Sequence, residues 1–152
     1  MSSQAVVMKA EVMPPDVRAG RRPTVYIVEG DDAVRCSLAM LCRESDFTVC
    51  TYASAQALFA DPPQSPGCII IDDQLPDMNA LQMLHALHQA DIVLPIIILG
   101  ADSDVRTAVN TMRAGAFHYL EKPYLRLRLM ESVSEAVERS NASGLSSSIK
   151  TR

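Results

Sequence analysis

The stretch "CIIIDDQLPDM", residues 68–78, runs an apolar segment directly into two adjacent aspartates. Its first four residues, Cys68 to Ile71, carry no charged side chain, which is typical of a parallel strand that is covered on both faces. Asp72 and Asp73 stand where such a strand would leave the core. The segment therefore predicts a buried strand that brings carboxylates to one edge of a sheet.

The same alternation of strand and helix continues on both sides of this segment. β-rich runs and helical patterns follow one another from Thr24 onward, and each run is closed by a turn or a capping residue. The predicted strands lie at 24–28, 47–53, 68–72, 94–100 and 117–123. The predicted helices begin at Asp32, after Ser54, at Ala80, after Asp102 or Ser103, and at Leu125. Five strands, each followed by a helix, predict a doubly wound α/β domain with a parallel sheet and helices on both faces.

Composition limits the classes of function. The formal charge of -4 and the pI near 5.3 argue against direct binding of nucleic acid, which needs a basic face. The longest apolar run, Ile92–Leu99, is interrupted by Pro95 and falls far short of the roughly 20 residues of a membrane span. No secretory signal pattern opens the chain, so we expect a cytoplasmic protein that does not bind membranes.

The pattern along the chain predicts three segments. Residues 1–23 contain prolines and glycine without periodicity and are predicted to be a flexible arm. Residues 24–141 are predicted to form the domain, with its last helix ending near Arg139. Residues 142–152 are Ser-rich and are predicted to be a disordered tail. We therefore expect a domain that stands alone, with no output domain after it.

Four cysteines, Cys36, Cys42, Cys50 and Cys68, lack the spacing of a metal knuckle. Because each lies in an apolar pattern, we expect all four to be reduced thiols in the core.

Charged side chains gather at the predicted strand ends. Glu29 follows the first strand, Asp72 the third and Lys122 the fifth, and in doubly wound sheets these ends share one functional crevice. Clustered carboxylates favour a divalent cation such as Mg²⁺, and a carboxylate beside a cation and an ammonium group can attack phosphorus. Asp72 is the candidate nucleophile, and Pro123 directs Lys122 along the crevice.

These residues carry a resemblance to a known family. The stretches "VYIVEGDDAVRCSL", "DDQLPDM" and "AVNTMRAGAFHYLEKPY" resemble the receiver domains of bacterial two-component response regulators, most closely the FixJ-like branch, from about Val25 to Val137. The resemblance implies a flavodoxin-like receiver fold with strand order 2-1-3-4-5 that works in a phosphorelay and is not an enzyme. It also implies that Asp72 is the phospho-acceptor, that Lys122 contacts the phosphate, that Tyr119 is the aromatic switch residue and that the backbone carbonyl of Gln74 is a metal ligand.

Departures from the family pattern affect the same site. The family ends its first strand with two acids, of which the second binds the metal directly, whereas this chain has Glu29 and Gly30. Asp31 could replace the missing ligand if the backbone twists at Gly30. The family has Ser or Thr where this chain has Gly100, so a phosphate-binding hydroxyl is lost. A third, milder change puts alanine at position 80, where the family has glycine, and affects only the turn.

We expect from these changes that Mg²⁺ binding is weak or absent. The metal ligands would be Glu29, Asp31, Asp72 and the Gln74 carbonyl, and phosphoryl transfer would be reduced.

The resemblance also implies partners. A receiver of this kind exchanges phosphoryl groups with a histidine kinase or phosphotransfer protein and contacts a downstream regulator. The fourth helix and fifth strand, with Val105, Val109, Met112 and Tyr119, would form a homodimer or output interface. The alternatives are the N-terminal receiver part of a FixJ-like transcription regulator, or a flavodoxin-like cofactor-binding enzyme, against which the acidic "EGDDAV" loop counts.

Overall fold

The computed structural model describes residues 22–101 and 105–150. Within these ranges five strands alternate with five helices. The elements are β1 (Thr24–Val28), α1 (Asp32–Glu44), β2 (Thr48–Tyr52), α2 (Ala55–Ala60), β3 (Gly67–Asp72), α3 (Ala80–Gln89), β4 (Ile96–Gly100), α4 (Val105–Arg113), β5 (His118–Glu121) and α5 (Arg126–Lys150).

The strands form one sheet in the order β2-β1-β3-β4-β5, and every neighbouring pair is parallel. The order reverses after β1, which places β3 at the centre with β1 and β4 beside it. This arrangement confirms the predicted doubly wound α/β class and the receiver strand order. The carboxyl ends of β1, β3, β4 and β5 therefore meet at one edge.

Two hydrophobic clusters cover the two faces of the sheet. Ile69 and Ile71 of β3 belong to the cluster with α2 and α3, whereas Cys68 and Ile70 belong to the cluster with α1 and α5. Successive side chains of a strand point to opposite faces, so an all-apolar β3 serves both clusters. β1 and β4 are buried in the same way, which explains their continuous apolar sequences.

Capping residues fix where the helices begin. The Asp31 side chain accepts a hydrogen bond from Val34 N–H (3.0 Å) at the start of α1, and Ser54 caps α2 through Ala57 N–H (3.1 Å). Asn79 and Gln82 form a reciprocal capping box at α3. The predicted α4 caps, Asp102 and Ser103, lie outside the described residues.

The expectation of four core thiols is wrong for two of them. All four cysteines are free, and Cys42 and Cys68 are buried, but Cys36 and Cys50 are exposed. Cys50 lies on β2, the edge strand, whose residues are largely exposed, and Cys36 lies on the solvent side of α1. An apolar pattern does not show whether a strand lies at the edge or the centre of a sheet, so it led to a prediction of burial for Cys36 and Cys50 that is wrong.

The last helix is longer than the sequence predicted. α5 continues to Lys150, past the expected end near Arg139 and into the segment expected to be disordered. No proline interrupts residues 126–150, and extending an existing helix avoids the cost of nucleation. The predicted arm, apart from Arg22 and Pro23, and residues 151–152 lie outside the described residues. In the part of the chain that is described, no helix is both long and apolar enough to cross a membrane.

Gly67 begins β3 where the backbone of β1 passes unusually close. A Cβ at position 67 would lie 1.7 Å from the carbonyl oxygen of Thr24, and the φ angle is +155°. Gly115, at φ +109°, has no described atom within 4 Å of such a Cβ. Position 67 therefore excludes any side chain by contact, whereas position 115 imposes only backbone strain.

We expect Gly67→Ala to lower the free energy of unfolding by about 3 kcal/mol, because the β1 and β3 backbones must separate. Gly115→Ala is the matched control and should cost only about 1 kcal/mol. Urea unfolding followed by circular dichroism measures both. Equal losses in the two variants would contradict the proposed contact.

Candidate functional site

Three predicted side chains meet at the carboxyl edge of the sheet. Glu29 follows β1, Asp72 ends β3 and Lys122 follows β5. The Lys122 ammonium donates a hydrogen bond to Asp72 Oδ2, and the Lys122 N–H donates to the carbonyl oxygen of Gly100 at 2.8 Å. Lys122 therefore reaches across the end of β4, between two strands that are not neighbours.

Asp72 is a buried carboxylate that is held in its charged form. It is 3% exposed, and its Oδ1 accepts a hydrogen bond from Gln74 N–H at 2.7 Å. Burial alone would raise the pKa of Asp72, but the neighbouring Glu29 side chain, the Lys122 ammonium and the Gln74 N–H outweigh it, and the pKa is lowered. An ionised carboxylate beside an ammonium group is a competent oxygen nucleophile.

Glu29 has the opposite electrostatic balance. It is 5% exposed, its Oε2 accepts a hydrogen bond from Asp31 N–H at 3.0 Å, and its Oε1 is buried without a hydrogen-bond partner among the described residues. Burial, and next the Asp72 side chain, raise the pKa of Glu29 to about 7. Burial beside Asp72 therefore favours the protonated form of Glu29 near neutral pH, far more than an exposed glutamate would show.

The oxygen atoms at this edge suit a divalent cation, but they include only two carboxylates, those of Glu29 and Asp72. The unpartnered Glu29 Oε1 and the Asp72 carboxylate are hard oxygen ligands of the kind that Mg²⁺ prefers, and Gln74 lies beside them. No group of three or more His, Cys, Asp or Glu side chains that could hold a metal occurs within residues 22–101 and 105–150. A cation bound here would depend on two carboxylates, a carbonyl and water.

Asp31 is not brought into this cluster. Its side chain is turned to the N-terminus of α1, where it accepts the hydrogen bond of Val34 N–H. Gly30 does not adopt a positive φ angle, so the twist that would turn Asp31 inward does not occur. The N-cap hydrogen bond stabilises this outward position of the Asp31 side chain.

The two glycines of the site are each covered by a neighbouring side chain. A Cβ at Gly30 would lie 3.2 Å from Cδ of Pro76, and a Cβ at Gly100 would lie 1.8 Å from Oη of Tyr119. Tyr119 is partly buried and packs against the cluster that contains Ile98. The space of a side chain at position 100 is therefore occupied by Tyr119, whereas a Cβ at position 30 would only press lightly on Pro76.

The predicted interface residues lie on a different surface from the carboxylates. Val105, Val109 and Met112 are spaced four and three residues apart on α4 and are 70%, 43% and 44% exposed. Beside them, Met112, His118 and Tyr119 help to line a cavity of about 450 Å³ between α4, β5 and α5. Tyr119 is the predicted residue that lies between this surface and the strand ends.

Sequence reasoning missed how the loop after β3 is held. Asp77 accepts hydrogen bonds from the N–H groups of Ala55 (3.1 Å) and Gln56 (2.9 Å) at the start of α2, and Asp73 accepts one from Ala80 N–H (3.0 Å) at the start of α3. Asp73 is thus the loop carboxylate that its position suggests. No local sequence signal pairs Asp77 with a helix 22 residues earlier.

Comparison with known proteins identifies the class. Residues 25–134 match the model of the response regulator receiver domain, and the chain belongs to this family. Receivers of this family take part in two-component signalling as signal transducers, interact with histidine kinases and downstream effectors, and typically bind Mg²⁺ at the phosphorylation site. The resemblance predicted from the sequence is confirmed.

Particular relatives lie in the predicted branch. The chain is 33% identical over 121 residues to the transcriptional regulatory protein TdiR of Thauera aromatica, a match that covers 79% of this chain and 53% of TdiR. It is 34% identical over 116 residues to the transcriptional regulatory protein FixJ of Rhizobium meliloti, which covers 76% of this chain and 57% of FixJ. Full-length FixJ from B. japonicum superimposes with a TM-score of 0.75 at 30% identity, covering 84% of this chain and 63% of that one. The chain thus spans little more than half the length of these two curated relatives.

The raised pKa of Glu29 predicts a pH-dependent stability. Because the unfolded carboxyl group titrates near 4.5 and the folded one near 7, the folded state keeps a proton that the unfolded state loses. The contribution is fully present below about pH 4.5 and is lost as the pH rises through 7, at most about 3 kcal/mol.

Glu29→Gln removes this titration while keeping the shape of the side chain. We therefore expect the variant to gain stability relative to wild type between pH 5 and pH 8, measured by urea unfolding in EDTA. The Asp72 pKa lies below this window and does not interfere. A constant difference between the two proteins over that range would contradict a raised pKa.

Proposed function

We propose that the chain is a cytoplasmic signalling receiver whose phospho-acceptor is Asp72 and which is phosphorylated weakly, so that protein contacts carry most of its signal. The observation that carries the acceptor assignment is the buried Asp72 carboxylate, bound by Lys122 at the edge where β3 and β5 end. No other carboxylate among the described residues combines burial, a lowered pKa and an ammonium partner.

The chemistry follows from this arrangement. An Asp72 oxygen attacks the phosphorus of a phosphohistidine or an acyl phosphate; the new O–P bond forms as the P–N or P–O bond breaks, and the leaving imidazole or carboxylate keeps the electron pair. The Lys122 ammonium offsets the negative charge on the phosphoryl oxygens. A Mg²⁺ ion held by Glu29, Asp72 and the Gln74 carbonyl would supply further positive charge.

Weak phosphorylation follows from the charge of the donor set. Gly30 provides no direct carboxylate ligand, and Glu29 must give up its proton before it can bind a cation. Loss of one charged ligand could weaken the phosphorylated state by roughly 1 to 3 kcal/mol. Because a ligand shifts a two-state equilibrium only by its differential affinity, a weakly held phosphoryl group changes the conformation of few molecules.

The contact surface is the exposed side of α4 with β5. Val105, Val109 and Met112 form an apolar stripe that a partner or a second copy of this chain could cover. We propose that this stripe, with Tyr119 at its edge, binds a downstream regulator or forms a homodimer, and that a histidine kinase or phosphotransfer protein meets the Asp72 edge.

A receiver that forms the N-terminal part of a longer transcription regulator is a second candidate. Its support is that the relatives TdiR and FixJ, whose names describe transcriptional regulation, are matched over only 53% and 57% of their lengths. The mass of the native protein on an immunoblot tests this second candidate, because a regulator with an output domain would be far larger than 16.6 kDa.

We expect Mg²⁺-dependent phosphorylation by acetyl phosphate to be slower than in a receiver with both acids, and to be absent in Asp72→Asn. Phosphoprotein gel shifts and intact mass measure the rate. An ordinary rate in the wild type would contradict the weak site, and phosphorylation that survives in Asp72→Asn would contradict the acceptor assignment.

Restoring the missing acid should strengthen the site. Gly30→Asp is expected to raise Mg²⁺ affinity about tenfold, since it adds a charged ligand and requires Pro76 to move only slightly. Gly30→Asn is the matched control, because it adds the same bulk without charge. Isothermal titration with Mg²⁺ measures both, and equal affinities would show that position 30 does not face the cation.

A further inference from the structure

The space above Gly100 is filled by the phenol group of Tyr119. A Cβ built at position 100 would lie 1.8 Å from Tyr119 Oη, 2.2 Å from Cζ and 2.7 Å from Cε2. Gly100 has no positive φ angle, so its backbone would accept any residue. It is therefore the tyrosine ring, and not the conformation of the chain, that requires glycine at the end of β4.

The strand register shows where the ring ends. Tyr119 pairs with Ile98, and the ring extends from there along the sheet to Gly100, the last residue of β4. The carbonyl oxygen of Gly100 accepts a hydrogen bond from the Lys122 N–H. In the register of β3 and β4, Asp72 lies opposite Leu99, the residue before Gly100. The phenol oxygen thus lies at the carboxyl end of β4, the strand next to the one that carries Asp72.

We propose that the Tyr119 hydroxyl replaces the side-chain hydroxyl that Gly100 lacks and donates a hydrogen bond to a phosphoryl group on Asp72. A serine hydroxyl lies one covalent bond from its Cβ, and Tyr119 Oη lies 1.8 Å from that same Cβ position. A phenol is a hydrogen-bond donor, and tetrahedral phosphoryl oxygens are strong acceptors. The inference rests on the proposed function, because it needs Asp72 as the acceptor.

A phosphate-binding role for Tyr119 would mean that Gly30, and not Gly100, is the glycine that weakens phosphorylation. If Tyr119 supplies the hydroxyl, the deficit at Gly100 is compensated, and the missing carboxylate at Gly30 accounts for the weak phosphorylation. Tyr119 would then contact the phosphoryl group directly while its ring stays beside α4 and lines the cavity there.

The test uses beryllofluoride, a phosphoryl mimic, titrated into the full chain with saturating Mg²⁺. Tyr119→Phe keeps the ring and removes only the hydroxyl, and we expect it to bind at least about tenfold more weakly than wild type. Equal affinity in the wild type and Tyr119→Phe overturns the proposal. Thermal unfolding of both proteins confirms that the variant is folded.

A rescue experiment separates a lost hydroxyl from altered packing. In the Tyr119→Phe background, Gly100→Ser and Gly100→Ala displace the substituted aromatic ring equally, but only serine adds a hydroxyl. We expect Gly100→Ser to restore affinity and Gly100→Ala not to restore it. If neither restores binding, or both do, packing explains the loss and the proposal fails.

Asp72→Asn distinguishes failure of this inference from failure of the proposed function. Binding that is lost in Asp72→Asn but unchanged in Tyr119→Phe leaves Asp72 as the acceptor and removes only the role of Tyr119. Binding that survives in Asp72→Asn, or no binding by the wild type at all, overturns the acceptor assignment and this inference with it.

Discussion

The ion pair between Lys122 and Asp72 is the interaction on which the candidate site depends. A carboxylate that is 3% exposed would not stay ionised without compensation, because burial disfavours its charge. The ammonium of Lys122 and the N–H of Gln74 provide that compensation from two different loops. Since β4 separates β3 from β5, the pair also connects two strands that share no hydrogen bonds, and it needs β3, β4 and β5 side by side in the sheet.

The same electrostatics set the charge balance of the whole strand edge. Three carboxylates at one strand edge would need a divalent cation to offset their repulsion. With Gly30 after Glu29, the charged groups at this edge are Asp72, Lys122 and a Glu29 group whose pKa is raised to about 7. The Lys122 ammonium offsets the charge of Asp72, and the raised pKa of Glu29 reduces the negative charge that remains near neutral pH. An edge with two carboxylates beside an ammonium group therefore has less need of a divalent cation than an edge with three carboxylates.

The sequence predicted those parts of the site that depend on strand ends alone. Asp72 and Lys122 follow apolar runs, and parallel strands bring such positions to one edge whatever their order. Asp31 could not be assigned in this way, because an aspartate before a helix serves equally as a cap or as a ligand, and only the backbone at Gly30 decides. The contact of Asp77 with α2 and the exposure of Cys50 depend on tertiary arrangement, which local pattern does not contain.

The two glycines of the candidate site, Gly30 and Gly100, differ in how closely the surrounding structure packs against them. At Gly30 a new Cβ would meet Pro76 at 3.2 Å, a contact that a shift of a few tenths of an ångström relieves. At Gly100 the Tyr119 hydroxyl lies 1.8 Å from the Cβ position, so any side chain must first displace an aromatic ring from a packed cluster. Position 30 can regain an acid at little structural cost, whereas positions 100 and 119 can change only together. The tyrosine and the glycine therefore form one structural unit at the end of β4, in which the phenol group occupies the space that a side chain at position 100 would need.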